Sequence, residues 1–107
     1  MRPLFAIVAL VLASTCADAA KLTAAQHRGQ AFARTNCGGC HSIDSVTPSP
    51  LTIAPPFRSL HLKYPIEMLE EALAEGITTG HASMPEFRLD PAQINDLISF
   101  LKRFEKR

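Results

Sequence analysis

Apolar residues recur at helical spacing in three stretches of the chain, and each stretch carries its own start signal. In the last, Ile94, Leu97, Leu101 and Phe104 form a stripe flanked by Ile98 and Phe100, the period expected of one buried helix face. Asp90-Pro91-Ala92-Gln93 stands before it, supplying an N-cap, a proline for the first helical position and a glutamine placed for a capping box. A second stripe, Ile66, Leu69, Leu73 and Ile77, predicts a helix with Pro65 at or near its first position. Glu67, Glu70, Glu71 and Glu75 cover its other faces and read as solvated surface, while Met68 within it reads as packing. The first helix is predicted from Thr23, a suitable N-cap, through Ala24, Ala25, Phe32 and Ala33. Gly29 is out of place there, because a mid-helix glycine costs about 1 kcal/mol against alanine. It marks a place where another element packs closely, and the last helix is the predicted partner, with Phe100 or Leu97 meeting Gly29 and Phe32. His27 beside it reads as solvated.

Between these helices the pattern breaks. Residues 42–56 contain Pro48, Pro50, Pro55 and Pro56 among several serines and threonines, which excludes regular helix and predicts an ordered loop. Its apolar end, Ile53-Ala54-Pro55-Pro56-Phe57, suits packing against a hydrophobic ring edge, and residues 57–62 are predicted as a short helical turn. Gly76 and Gly80 bracket a second loop, centred on Met84-Pro85. No internal repeat or convincing strand is present. The fold class is therefore all-α, with three to four helices and long loops around a central plane.

The N-terminus reads differently from the rest. Arg2 precedes an uncharged apolar run at residues 4–13, and Ala17-Asp18-Ala19 offers small residues for a cleavage site, the plan of a secretory signal peptide. Residues 1–19 are accordingly assigned to a cleaved leader and residues 20–107 to one domain. A membrane anchor is the competing reading, but a run of about ten apolar residues falls short of the roughly twenty that span a bilayer. Lipidation at Cys16 is another, poorly served by the Ala13-Ser14-Thr15 that precedes it. Cleavage leaves two of the three cysteines and no pair for a structural disulfide. The formal charge of +1 carries no footprint of a nucleic-acid binder. Lys102, Arg103, Lys106 and Arg107 cluster at the C-terminus, where they complement the last helix dipole or form a patch for an acidic partner.

The remaining two cysteines stand in Cys37-Gly38-Gly39-Cys40-His41. Two cysteines three apart, with histidine directly after the second, are the signature of c-type haem attachment. Positions i, i+3 and i+4 share a helical face, so both thiols can form thioethers to haem while His41 binds iron from the proximal side. Gly38 and Gly39 place no side chain between the sulfurs. A backbone carbonyl of the proline-rich loop, with Pro55 the choice, is expected to accept a hydrogen bond from His41 Nδ1, as metal-bound histidines usually require. Met84 offers a soft thioether for the opposite side of the iron, and Pro85 biases it toward an extended conformation. An ordinary buried methionine at 84, or His81 as the second ligand, are the alternatives left open by the residues themselves. A covalent haem would also staple a chain whose own core is small.

With these residues in view, the chain resembles a small class I cytochrome c. The resemblance rests on Cys37-Gly38-Gly39-Cys40-His41, on Gly29 and Phe32 before it, on Met84-Pro85, and on Leu97, Phe100 and Leu101 in the last helix. It implies the cytochrome c fold around one covalent haem c, crossed N- and C-terminal helices, His41 and Met84 as axial ligands, and single-electron transfer through an exposed haem edge. Residues 42–56 carry no family motif.

Three functions follow from different classes. The first is an electron carrier, or the cytochrome subunit of an exported oxidoreductase, working in the bacterial periplasm with redox proteins as partners, without stable membrane insertion of the mature chain and without being an enzyme itself. The second is a gas-binding or peroxidatic haem protein, which needs Met84 off the iron or readily displaced. The third treats Cys37 and Cys40 as a thiol-disulfide pair or half a zinc site. It lacks the βαβ pattern of thioredoxin-like enzymes and would need distant histidines such as His61 or His81 to complete zinc. Tyr64, Arg58 and Lys63 stand as candidates for haem propionate contacts or as plain surface residues.

Overall fold

The computed structural model describes residues 21–76 and 84–106. Three α-helices, α1 (Ala24–Asn36), α2 (Leu69–Glu75) and α3 (Pro91–Lys102), are supplemented by 3₁₀ segments at Phe57–Leu62, Ile66–Met68 and Arg103–Lys106. No strand occurs among the described residues. The chain is all-α, as its periodicity predicts. The leader at 1–19, Cys16, Ile77, Gly80, His81 and Arg107 lie outside the described residues.

Both long helices begin on reciprocal caps. Thr23 accepts from the Gln26 amide while the Gln26 side chain accepts from the Thr23 amide; Asp90 and Gln93 do the same for α3, with Pro91 at its first turn. Each cap satisfies amides that the helix cannot pair internally. The middle helix departs from expectation. Pro65 leads into the 3₁₀ turn Ile66–Met68, and α-helix starts only at Leu69. Ile66 is fully buried, whereas Met68 is 67 % exposed, so Met68 is not core packing as its helical spacing predicted. The tighter turn rotates it outward. The stripe of α3 is also broader than predicted, since Leu97, Ile98, Phe100 and Leu101 are all buried while Ile94 is only partly so, and Phe104 completes the face from the 3₁₀ turn.

α1 and α3 cross at Gly29. A Cβ built there would overlap the Asp96 carbonyl and lie 2.8 Å from Phe100 Cβ, so the missing side chain is what lets the two backbones touch. Arg28 clamps the same crossing from outside through Nε and Nη2 to the two carboxylate oxygens of Asp96, at 2.9 and 3.0 Å. The core lies between these helices and the middle segment, built from Ala33, Phe57, Leu60, Ile66, Leu73 and the α3 face, with Phe100 and Phe104 edge to face at 5.5 Å. Lys102, one of the C-terminal cations, pairs with Glu67 and ties the end of α3 to the turn before α2.

Candidate haem site

α1 delivers the cysteine motif. The helix ends at Asn36, and Cys37 caps it, with the amides of Cys37 and Gly38 both donating to the Ala33 carbonyl at 2.8 and 2.9 Å. The motif therefore lies on one further turn beyond the helix rather than inside it. That turn keeps helical spacing, because Cys40 N and His41 N both donate to Cys37 O, at 3.2 and 2.9 Å. Both thiols are free and half-buried. Burial pushes the Cys37 thiol up to about 11, which keeps it neutral at pH 7.

His41 is half-buried, and its Nδ1 stands 2.7 Å from the carbonyl oxygen of Pro55. A carbonyl only accepts, so this bond places the ring proton on Nδ1 and leaves the Nε2 lone pair available. The ring also meets Phe57, with centroids 5.2 Å apart and planes tilted by 43°. The loop supplying Pro55 is held in register: Phe57 N donates to Ser42 O at 2.9 Å, Leu51 N to Cys40 O at 3.1 Å, and Ala54 N to Leu51 O at 2.9 Å.

Met84 is half-buried, and beyond it Leu89 N donates to Leu73 O of α2 at 2.9 Å. Gly76 ends α2 with φ at +104°, a backbone that side chains rarely adopt, and the Glu86 carboxylate occupies the space where a Cβ would lie. His81 lies outside the described residues. Among the described residues, no group of three or more His, Cys, Asp or Glu gathers to hold a metal ion, so Cys37 and Cys40 find no such protein partners for a zinc site there.

Of the three propionate candidates, Lys63 is exposed, Tyr64 packs against the core, and Arg58 turns to the loop, donating from Nη1 to the Thr47 carbonyl at 2.6 Å. This loop chemistry escaped the sequence reading. Asp44 accepts from the amides of Val46 and Thr47 and from the Thr47 hydroxyl, and these bonds, Thr47 hydroxyl first, pull its carboxyl down to about 2. The signal was present in Asp44-Ser45-Val46-Thr47, since an aspartate bonding amides two and three residues on is an Asx turn. Beside the loop, Arg58, Ser59, His61, Leu62 and Phe104 line a cavity of about 350 Å³, and His61 Nδ1 is buried without a hydrogen-bond partner.

Two cysteines and an oriented histidine on one turn of a helical fold are the arrangement expected of c-type haem attachment. Residues 24–101 match the family model for cytochrome c oxidase, cbb3-type, subunit III, and the chain belongs to that family. No curated protein and no solved structure matches it. Membership makes the chain a haem c electron-transfer cytochrome. No helix among the described residues is long and apolar enough to cross a membrane.

Proposed function

We propose that the chain transfers single electrons in the bacterial periplasm through one haem c, joined by thioethers to Cys37 and Cys40 and ligated by His41 Nε2 and the Met84 sulfur. Residues 1–19 act as a cleaved leader and residues 20–107 as the functional domain. In keeping with the family description, the mature chain serves as a soluble carrier or as the cytochrome subunit of an oxidase complex, exchanging electrons with protein partners and performing no substrate chemistry of its own. Nucleic acid is not among those partners.

The observation that carries this reading is the bond from His41 Nδ1 to Pro55 O. It sets the tautomer that an iron ligand requires and raises the basicity of Nε2. Haem supplies a reversible one-electron iron couple whose potential follows its axial ligands and their hydrogen bonds. The chain's residues do the rest. Cys37 and Cys40 would hold the ring beside α1 through thioethers to its vinyl groups. Phe57 and Pro55 flank His41, and Met84 would supply the ligand for the other side. Two ligands kept in both oxidation states would hold reorganisation low.

The test is the optical spectrum of exported protein from cells that mature c-type haems, oxidised and reduced, repeated with Met84→Ala. A low-spin haem c with an iron–sulfur charge-transfer band that vanishes in the variant is expected, together with a denatured mass that retains one porphyrin. A high-spin wild type, or one that binds carbon monoxide rapidly when reduced, would replace electron transfer with gas-binding or peroxidatic chemistry.

A further inference from the structure

His41 is oriented by Pro55, and the residues that hold Pro55 in place converge on Ser42. Ser42 is the next residue in the chain and is 3 % exposed, the buried polar side chain of the described core. Its carbonyl accepts from Phe57 N at 2.9 Å, so residues 41–42 and 55–57 lie side by side in the register that brings Pro55 O to His41 Nδ1. Its own amide donates to Ser49 Oγ at 3.0 Å, and its hydroxyl bonds Thr47 Oγ1 at 3.1 Å.

Arg58 closes this arrangement. It directly follows Phe57, and its Nη1 donates to Ser42 Oγ at 3.2 Å, Thr47 O at 2.6 Å and Asp44 O at 3.3 Å. One guanidinium nitrogen thus grips both the residue after His41 and the far side of the loop. The Asp44 turn, closed on the amides of Val46 and Thr47, presents the two carbonyls that Arg58 takes. Removing Arg58 would leave Ser42 Oγ with Thr47 Oγ1 alone, leave these carbonyls to water and let the loop move away from His41, whereas Arg28, which bonds Asp96 across the α1–α3 crossing, has no such route.

We propose that Arg58 is a positioning residue for His41, holding through Ser42 and Thr47 the register that keeps Pro55 O on His41 Nδ1. It thereby sets how strongly the imidazole donates to iron. This rests on His41 being an iron ligand. The Nδ1–H bond makes the ring a stronger donor and favours ferric iron, so loosening it raises the reduction potential. Loss of a nearby positive charge alone acts the other way, because it too favours ferric iron and lowers the potential. The sign separates the two.

The experiment compares haem-loaded wild type, Arg58→Ala, Arg58→Lys, Ser42→Ala and Arg28→Ala. Equilibrium potential, hydrogen exchange at His41 Nδ1–H by NMR, and denaturant midpoint are read on each. Arg58→Ala is expected to speed Nδ1–H exchange by about tenfold, the scale of one hydrogen bond lost. Ser42→Ala, which changes no charge, raises the potential, Arg58→Lys restores part of the wild-type exchange rate, and Arg28→Ala moves neither. An Arg58→Ala protein with a lower midpoint but wild-type exchange, or with a lowered potential and wild-type exchange, overturns the proposal. If Arg58→Ala does not accumulate, Ser42→Ala and Arg58→Lys decide by the same readouts. A wild type without a histidine-ligated haem overturns the reading beneath it as well, whereas an intact wild-type spectrum with unmoved variants refutes the role of Arg58 alone.

Discussion

Gly29→Ala is the most direct probe of the helix crossing that carries the haem motif. On an exposed helix this change would stabilise by about 1 kcal/mol, since alanine restricts the unfolded chain and favours helix. Here the added Cβ would overlap the Asp96 carbonyl oxygen and sit 2.6 Å from its carbon and 2.8 Å from Phe100 Cβ. Carbon atoms pack at about 3.5–4.0 Å, so α1 and α3 would have to separate by roughly 1 Å. Overpacking of this kind costs about 3 kcal/mol when backbone rather than a flexible side chain must move. Less the helical gain, a net loss of about 2 kcal/mol is expected, which for a domain of this size lowers the melting temperature by about 10 °C. The assay is denaturant and thermal unfolding of the haem-loaded protein, followed by far-ultraviolet circular dichroism. The closest contacts belong to the Asp96 backbone, so Phe100→Ala should not rescue the variant. A neutral or stabilising Gly29→Ala, or full rescue by Phe100→Ala, would refute a backbone-on-backbone crossing.

Ile66 is fully buried at the head of the middle segment; Ile66→Ala is expected to cost about 2–5 kcal/mol and Ile66→Val about 1 kcal/mol, and equal effects from both in denaturant unfolding would contradict its enclosure. Asp44 has a folded carboxyl held at about 2 against an ordinary value of 3.8, so its contribution is complete above about pH 3.8 and is lost as pH falls toward 2. Unfolding midpoints of wild type and Asp44→Asn should therefore differ at pH 6 and converge near pH 2, and a pH-independent gap would show that the carboxylate charge is not what closes the turn.

Much of this architecture is legible from single residues because the physics involved is local. Thr23 as an N-cap, and Asp90 with Gln93 as a capping box, announce helix starts that the structure contains, since a cap needs only a few consecutive residues; that Gln26 reciprocates Thr23 is seen only in the structure. Gly29 could be read as a contact because a costly glycine needs a compensating gain. The start of α2 is less legible: Pro65 is compatible with the first turn of either helix type, and the structure has a 3₁₀ turn at Ile66–Met68 before the α-helix begins at Leu69. The role of Arg58 is not legible locally, because its acceptors depend on the path of the intervening loop. Asp44 could have been read from its turn, but its service to Arg58 could not. For the site, spacing alone identified the haem motif, while the choice among Met84, His81 and a plain core methionine depends on how a long loop meets another part of the chain, which no local pattern encodes.

The bond from Leu89 N to Leu73 O gives the Met84 segment a closed base on the α2–α3 scaffold. Among the described residues between them, Gly76 N donates back to Ala72 O, and Gly76 and Glu86 stand against each other just inside the pairing. Neither α1, which carries Cys37 onward, nor the α1–α3 crossing lies within that bight. The described residues thus divide into a chassis that carries the turn at residues 37–41 and a cassette that carries Met84. A segment anchored at its own base tolerates change in length and composition better than the elements it joins, so variation around Met84 leaves the helix crossing that carries residues 37–41 with its own contacts.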